Sequence, residues 1–205
     1  MMELLVEVSR GARVESWHSG AIAVVDHEGR LLAAVGDPDL WVCLRSMAKP
    51  IQALPLLTTG AAAAFNFGPA ELALFCGSLN GQDFQVALVE QVLTRLGLDV
   101  SHLQCGIHPP SHRPTAAALS KTGQKPTPLH NNCAGKHAAM LALCRYHGWP
   151  VTDYLNPDHP VQRLILATIA AITEVPEADI TVAIDGCGAP VFYVPLHRIA
   201  LASAK

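Results

Sequence analysis

The sequence predicts a mixed α/β fold of the α+β kind, with β-hairpins at the N-terminus followed by a mostly helical region. Three observations carry this expectation. Runs rich in β-branched and aliphatic residues cluster in the first 45 positions. From residue 47 onward, apolar residues recur at helical spacing between proline starts and glycine stops. Half of the 205 residues are apolar and only 15% are charged, the composition of a packed chain rather than a disordered one. A single domain, residues 1–205, is expected, and it is long enough to bury a sizeable core.

Strands are predicted at 4–8, 21–26 and 31–35, the last two joined through the tight turn His27-Glu28-Gly29-Arg30. A short strand at 41–44 feeds Arg45-Ser46. A helix over 47–58 tolerates Pro50 in its first turn, where no intrahelical N–H is needed. Pro69 opens a helix reaching Phe75. Residues 83–96 are amphipathic, and Gly97 is placed to stop them. A small helix follows at 114–121, then a longer one at 136–147 closed by Gly148, and a long apolar one at 160–175. Strand character returns at 180–184 and 191–194, before a final helical run over 196–205. No internal repeat is visible, and the alanine run 61–64 is too short to count as one.

A net charge of −3 gives no reason to expect a nucleic acid or an anionic membrane as partner. No apolar run approaches the ~20 residues needed to span a bilayer. Acids interrupt the N-terminal apolar run after a few residues, which argues against a signal peptide. Six cysteines (Cys43, Cys76, Cys105, Cys133, Cys144, Cys187) form no CxxC pair and read as reduced thiols, some of them available as metal ligands. A soluble, cytoplasmic protein is expected.

Ser46-Met47-Ala48-Lys49 is a Ser-x-x-Lys motif at the start of a helix, and spacing of three puts both side chains on one face. A serine hydroxyl becomes a nucleophile only when a base takes its proton. A lysine serves as that base when burial or a neighbouring cation depresses its pKa. Arg45 is an adjacent cation, and the helix N-terminus offers free N–H groups to a developing oxyanion. The plainer reading of the same four residues is an N-cap serine and a solvated lysine. Penicillin-recognising serine hydrolases carry S-x-x-K, S-x-N and K-T-G in order, and Ser78-Leu79-Asn80 and Lys121-Thr122-Gly123 follow here. The first triplet sits in a glycine-flanked turn, either catalytic or an ordinary polar turn. The second reads as a helix end and a loop, not the strand that chemistry needs.

The densest polar stretch is His130-Asn131-Asn132-Cys133-Ala134-Gly135-Lys136-His137, mirrored by the loop Asp185-Gly186-Cys187-Gly188. Such groups are costly to desolvate unless they bind something. Gly135-Lys136 lacks the first glycine and the Ser/Thr of a phosphate loop. Cys133 and Cys187, with one or two further donors, suit a tetrahedral zinc ion, and His130 and His137 are the usual candidates to complete it. Lys136 would be an unusual ligand, because its amine must lose a proton to bind. Two buried cysteines and a solvent-facing lysine remain the alternative.

Taken together, residues 14–20, 45–55, 130–137, 156–162 and 185–190 resemble the rhizobial-type (class 3, thermolabile) L-asparaginases along essentially the whole chain. The resemblance implies a fold similar to the serine β-lactamases and glutaminases. It implies Ser46 as nucleophile, Lys49 as its base, and Ser78 as a second serine that relays protons or holds the tetrahedral intermediate. Cys133, Lys136 and Cys187 would bind zinc with a water, and Arg45 and Asp185 would line the substrate site; Asn80, of the Ser-x-Asn triplet, is a further candidate to bind substrate. The implied activity is hydrolysis of L-asparagine to L-aspartate and ammonia through an acyl-enzyme, in a homodimer whose partner otherwise is a small-molecule substrate. A glutaminase, a β-lactam-reactive hydrolase and an inactive zinc-binding fragment are the alternatives. Two departures stand out. Relatives read Ser-His-Ser-Gly-Glu where this chain has Ser78-Leu79-Asn80-Gly81-Gln82. They also continue well past residue 205, so the C-terminal part of the fold, with a second active-site lysine that Lys121 does not replace, is expected to be missing.

Overall fold

A computed structural model describes residues 2–205. Among them are seven strands and eight α-helices in the order β1 (Glu3–Arg10), β2 (Arg13–Gly20), β3 (Ile22–Val25), β4 (Leu31–Val35), β5 (Trp41–Cys43), α1 (Lys49–Thr58), α2 (Ala61–Ala64), α3 (Pro69–Cys76), α4 (Asp83–Arg95), α5 (Arg113–Thr122), α6 (Ala134–His147), α7 (Pro160–Thr173), β6 (Thr181–Ile184), β7 (Pro190–Pro195) and α8 (Leu196–Ala204). Hairpins followed by helices make this a mixed α+β fold, as the sequence predicts. The chain divides into two compact units, one of residues 1–44, 170–181 and 192–205, the other of residues 45–169 and 182–191.

The first unit is built from antiparallel ribbons. β1 pairs with β2 across the two-residue turn Gly11-Ala12, where Gly11 adopts a φ of 62°. β3 pairs with β4, and α8 packs on β3. Asp26 ties the β3–β4 turn together by accepting the N–H groups of Glu28 and Arg30. β5 pairs antiparallel with the second half of β7, Trp41 opposite Pro195 and Cys43 opposite Tyr193. Strand β2 was not expected. Its residues Glu15, Ser16, His18 and Ser19 hide any alternation, because nearly the whole strand is exposed and no face selects apolar side chains.

The second unit is a helical packing around α6. Its sequence AGKHAAMLALCRYH is rich in strong helix formers, with Arg145 and His147 in the last turn and Gly148 in the left-handed conformation at the C-cap. Residues 134–144 are all buried, so this helix is covered on every side by α1, α2, α3 and α4. Gly135 makes the closest of these packings possible, since a Cβ there would stand 2.2 Å from the Leu74 carbonyl oxygen of α3. Leu56, Phe75, Val89, Val92, Leu141, Leu143, Val161 and Ile165 fill the core. Boundaries move by a residue or two from the sequence expectation. The change that bears on the site is at α1, which begins at Lys49 behind a 3₁₀ turn over Arg45–Ala48. The triplet Lys121-Thr122-Gly123 is the end of α5 and its left-handed cap, as expected.

Candidate active site and metal cluster

The segment entering α6 is held by its own side chains. Asn131, 4% exposed, accepts the Cys133 N–H at 2.8 Å and donates to the carbonyls of Cys105 and Gly106 at 2.8 and 3.2 Å. The Asn132 N–H donates to His108 Nε2 at 3.0 Å, and the Asn132 carbonyl accepts the Leu79 N–H at 3.0 Å. These bonds fix two successive peptides, 131–132 and 132–133, so the residues that follow are presented rigidly.

Lys49 is 1% exposed. Its amine donates to the Ser78 hydroxyl at 2.9 Å and to the Asn132 carbonyl at 3.0 Å. Burial lowers its pKa; the Cys133 sulfur beside it opposes that shift and Lys136 adds to it. The depressing cation is therefore Lys136, not the neighbouring Arg45, whose guanidinium turns to Asp185 at 3.2 Å. Ser46 stands on the 3₁₀ turn, exposed, and among the described residues its hydroxyl has no hydrogen-bond partner. The Lys49 amine thus goes to Ser78 and the Asn132 carbonyl and makes no hydrogen bond to Ser46, three residues before it.

Arg45, Ser46, His108, Asn131, Asn132, Cys133, Asp185, Gly186 and Cys187 line a cavity of about 240 Å³. A larger groove of about 630 Å³ lies between α4, α5 and the loop ending at His130. The smaller cavity is the chemical candidate, for it holds a serine, two thiols and paired charges, whereas the groove holds neither serine nor cysteine. Its volume falls below the ~300–1,000 Å³ common for drug-sized ligands and suits a small substrate. Ser78 faces a third depression with Gly77, Leu79 and Phe84. Asn80 turns from the cavity to Ser111, whose hydroxyl donates to it at 3.2 Å.

At the back of the cavity, Cys133, Cys187 and Asp185 bring their donor atoms within 4.8 Å of one another. Asp185 is anchored by a turn in which its N–H donates to the Ala189 carbonyl and Gly188, at φ 83°, donates back. Burial would raise the Asp185 pKa, but the Gly186 N–H, Lys136 at 3.6 Å, Cys187 and Arg45 outweigh it and hold the carboxyl below its ordinary value. The Cys187 thiol donates to the Asp185 carboxylate at 3.5 Å, with the Cys133 sulfur in the same cluster. The hydrogen bond from Cys187 draws Cys133 down to about 6, against burial and helped by Lys136 and Lys49; the same bond, with burial, pushes Cys187 up to about 11. Cys133 also occupies the N-cap of α6, where unpaired N–H groups favour a thiolate.

The family model described as L-asparaginase II matches residues 6–205. The chain belongs to this family. A comparison with curated proteins gives no match. The family is the rhizobial type that the sequence motifs resemble, and its members are asparagine-hydrolysing enzymes.

Against that background, the predicted residues fall into three groups. Ser46, Arg45, Asp185, Cys133 and Cys187 share the cavity; Lys136, Lys49 and Ser78 stand against it through Asp185, Asn132 and each other. Asn80 lies apart. His130 and His137, the candidates for completing a metal site, are not part of the Cys133–Asp185–Cys187 cluster: His130 accepts the Thr127 N–H and lines the larger groove. Sequence reasoning missed His108. The only signal for His108 is a lone imidazole ahead of two prolines in an unassigned stretch. No helix among the described residues is long and apolar enough to cross a membrane.

Proposed function

We propose that the protein hydrolyses L-asparagine to L-aspartate and ammonia through a serine ester. The observation that carries the reading is the meeting of Ser46 with Arg45 and Asp185 in one small cavity of an L-asparaginase II family chain. Arg45 and Asp185 suit the α-carboxylate and α-ammonium of an amino acid substrate. The Ser46 oxygen attacks the side-chain amide carbon, its proton passes to Lys49, and the C–N bond breaks as that proton reaches the departing ammonia. Water then cleaves the ester and returns the proton to Ser46. The Lys49–Ser78 hydrogen bond supports Ser78 as the relay between Lys49 and the reacting groups.

The donor set fits zinc. Cys133 ionises near neutral pH, Cys187 is its partner, and Lys136 is 4% exposed with its amine turned to the same carboxylate. Cys133, Lys136 and Cys187 would hold the ion, which when bound supplies a Lewis acid that orients the substrate. A homodimer belongs to this reading, and light scattering on the purified chain measures it.

A second reading, a zinc-binding chain without turnover, is favoured by the lack of a hydrogen bond between Lys49 and Ser46. An ammonia assay with metal analysis separates the two. The asparaginase reading expects ammonia release that Ser46→Ala removes, with Ser78→Ala slowed but measurable. Turnover that survives Ser46→Ala overturns Ser46 as nucleophile. One zinc per chain with no ammonia selects the second reading.

A further inference from the structure

His108 lines the small cavity together with Ser46, Asn132 and Cys133, and the chemistry above gives it no part. An imidazole near an exposed serine invites a general-base reading, but both of its ring nitrogens are engaged by backbone. Nδ1 lies 2.8 Å from the Pro109 carbonyl oxygen, which can only accept, so Nδ1 carries the ring hydrogen. Nε2 receives the Asn132 N–H at 3.0 Å, which can only donate, so Nε2 is the bare nitrogen. The two contacts agree on one neutral tautomer. The Asn132 side-chain oxygen stands 3.4 Å from Nε2 and, itself an acceptor, adds no bond there. On its other side, Asn132 is a hub. Its carbonyl accepts the Lys49 amine and the Leu79 N–H, each at 3.0 Å, and the same amine reaches the Ser78 hydroxyl at 2.9 Å. A closed ring of hydrogen bonds thus joins residues 49, 78, 79 and 132.

We propose that His108 is a positioning residue: its imidazole ties Asn132 to the backbone at Pro109 and so holds the Asn132 carbonyl where Lys49 and Leu79 reach it. The proposal rests on Lys49 as the base of the asparaginase reading and adds what keeps that base in place. Pro109 and Pro110 stiffen the backbone that receives Nδ1. Without the imidazole, the Asn132 N–H turns to water and residue 132 gains freedom to rotate its carbonyl off the amine. Lys49 is 1% exposed and has little water with which to replace a lost acceptor. His108 takes no proton from substrate in this arrangement, because a hydrogen on Nε2 would displace the Asn132 N–H.

Three substitutions separate this role from acid–base chemistry. His108→Gln places an acceptor oxygen near the Nε2 position but cannot act as a base; His108→Asn reaches only the Nδ1 position, and His108→Ala reaches neither. In ammonia release from L-asparagine, the Ala and Asn variants are expected to lose about 10–100-fold in kcat with KM little changed. The Gln variant is expected to recover most of that loss. A Gln variant as slow as the Ala variant overturns the proposal, as do wild-type rates in all three. A rise in KM with kcat unchanged also overturns it, since that marks a substrate contact. Amide hydrogen exchange reads the same role without turnover. His108→Ala is expected to speed exchange about tenfold at Asn132 and at Leu79, which donates to the Asn132 carbonyl, and His108→Gln to slow both again. Unchanged exchange at Leu79, or a rise spread evenly over the helices of the second unit, overturns the coupling through Asn132. In ¹⁵N NMR of the histidine-labelled chain, the ring signal absent from His108→Gln is expected to show Nδ1 in the pyrrole-type range and Nε2 in the pyridine-type range. The reverse assignment overturns the proposal. A wild-type chain that shows this tautomer and exchange pattern but releases no ammonia fails the asparaginase reading alone, and the hold of His108 on Asn132 stands.

Discussion

Helix α6 and strand β1 invert the usual relation between side chain and solvent. α6 buries residues 134–144 without a break, among them a lysine and a histidine. β1 exposes all eight of its residues, among them Leu4, Leu5, Val6 and Val8. Apolar character alone therefore does not fix burial, which depends on what the rest of the chain lays over an element. The lesson concerns where chemistry resides. Exposed aliphatic residues on a ribbon are common and say little. A buried lysine is rare and must be compensated, and here the compensation is Asp185 and the two sulfurs of the candidate site.

The largest effect that tests this contrast is at Lys136. Lys136→Ala is expected to reduce zinc affinity at least about a hundredfold, measured by chelator competition, with ammonia release falling alongside. Zinc uptake and turnover both unchanged would make the buried lysine a packing residue. Next is the cost of deleting apolar atoms from each element. Leu141→Ala, fully buried in α6, is expected to lose about 2–5 kcal/mol in urea unfolding. Val6→Ala in β1 is expected to stay within about 0.5 kcal/mol, and equal losses would end the comparison.

Gly135→Ala comes third. Its new Cβ meets the Leu74 carbonyl, and a cost of about 1–3 kcal/mol is expected from the forced shift between α6 and α3. The smallest effect is at acid pH. Glu71 receives the Gly68 N–H and an ion pair from Arg95 at 3.0 Å. Burial would raise its pKa, but these partners hold it below the ordinary 4.5. A carboxyl depressed in the folded chain adds stability that is complete above its unfolded value and disappears as pH falls through the folded one. Glu71→Gln should thus be less stable than the parent near neutral pH by under about 1 kcal/mol. It should also lose less on acidification below 4.5, and parallel pH profiles would remove Glu71 from the account.

Much of this was legible in the sequence. The helix at α6 follows from its alanines, leucines and Gly148, and the hairpin at β3–β4 from its Gly29 turn. The loop 130–137 stands out as a site because so many polar groups adjoin an apolar helix. Two things were not legible. Strand β2 has no alternation to read, since neither face is covered. Local spacing points to Ser46 as the partner of Lys49, yet the amine goes to Ser78, 29 residues away, through a turn that only tertiary packing closes. His108 escapes a sequence reading for the same reason: it is ordinary in its own neighbourhood and acquires meaning through a contact 24 residues distant.

The Asn132 carbonyl belongs to the same peptide group as the Cys133 N–H, and it is also an acceptor for Lys49. The Lys49 amine is thus held on the peptide that leads into Cys133, close enough for the amine and the sulfur to act on each other. Each favours the other: the thiolate strengthens the grip of Lys49 on its proton, and Lys49 eases ionisation of Cys133. Thermodynamic reciprocity makes the two effects equal. Anything that neutralises the sulfur loosens the amine's hold on its proton by that same amount, and anything that deprotonates the amine weakens the sulfur as an anion. Occupancy at one end therefore sets how ready the other is to accept a proton.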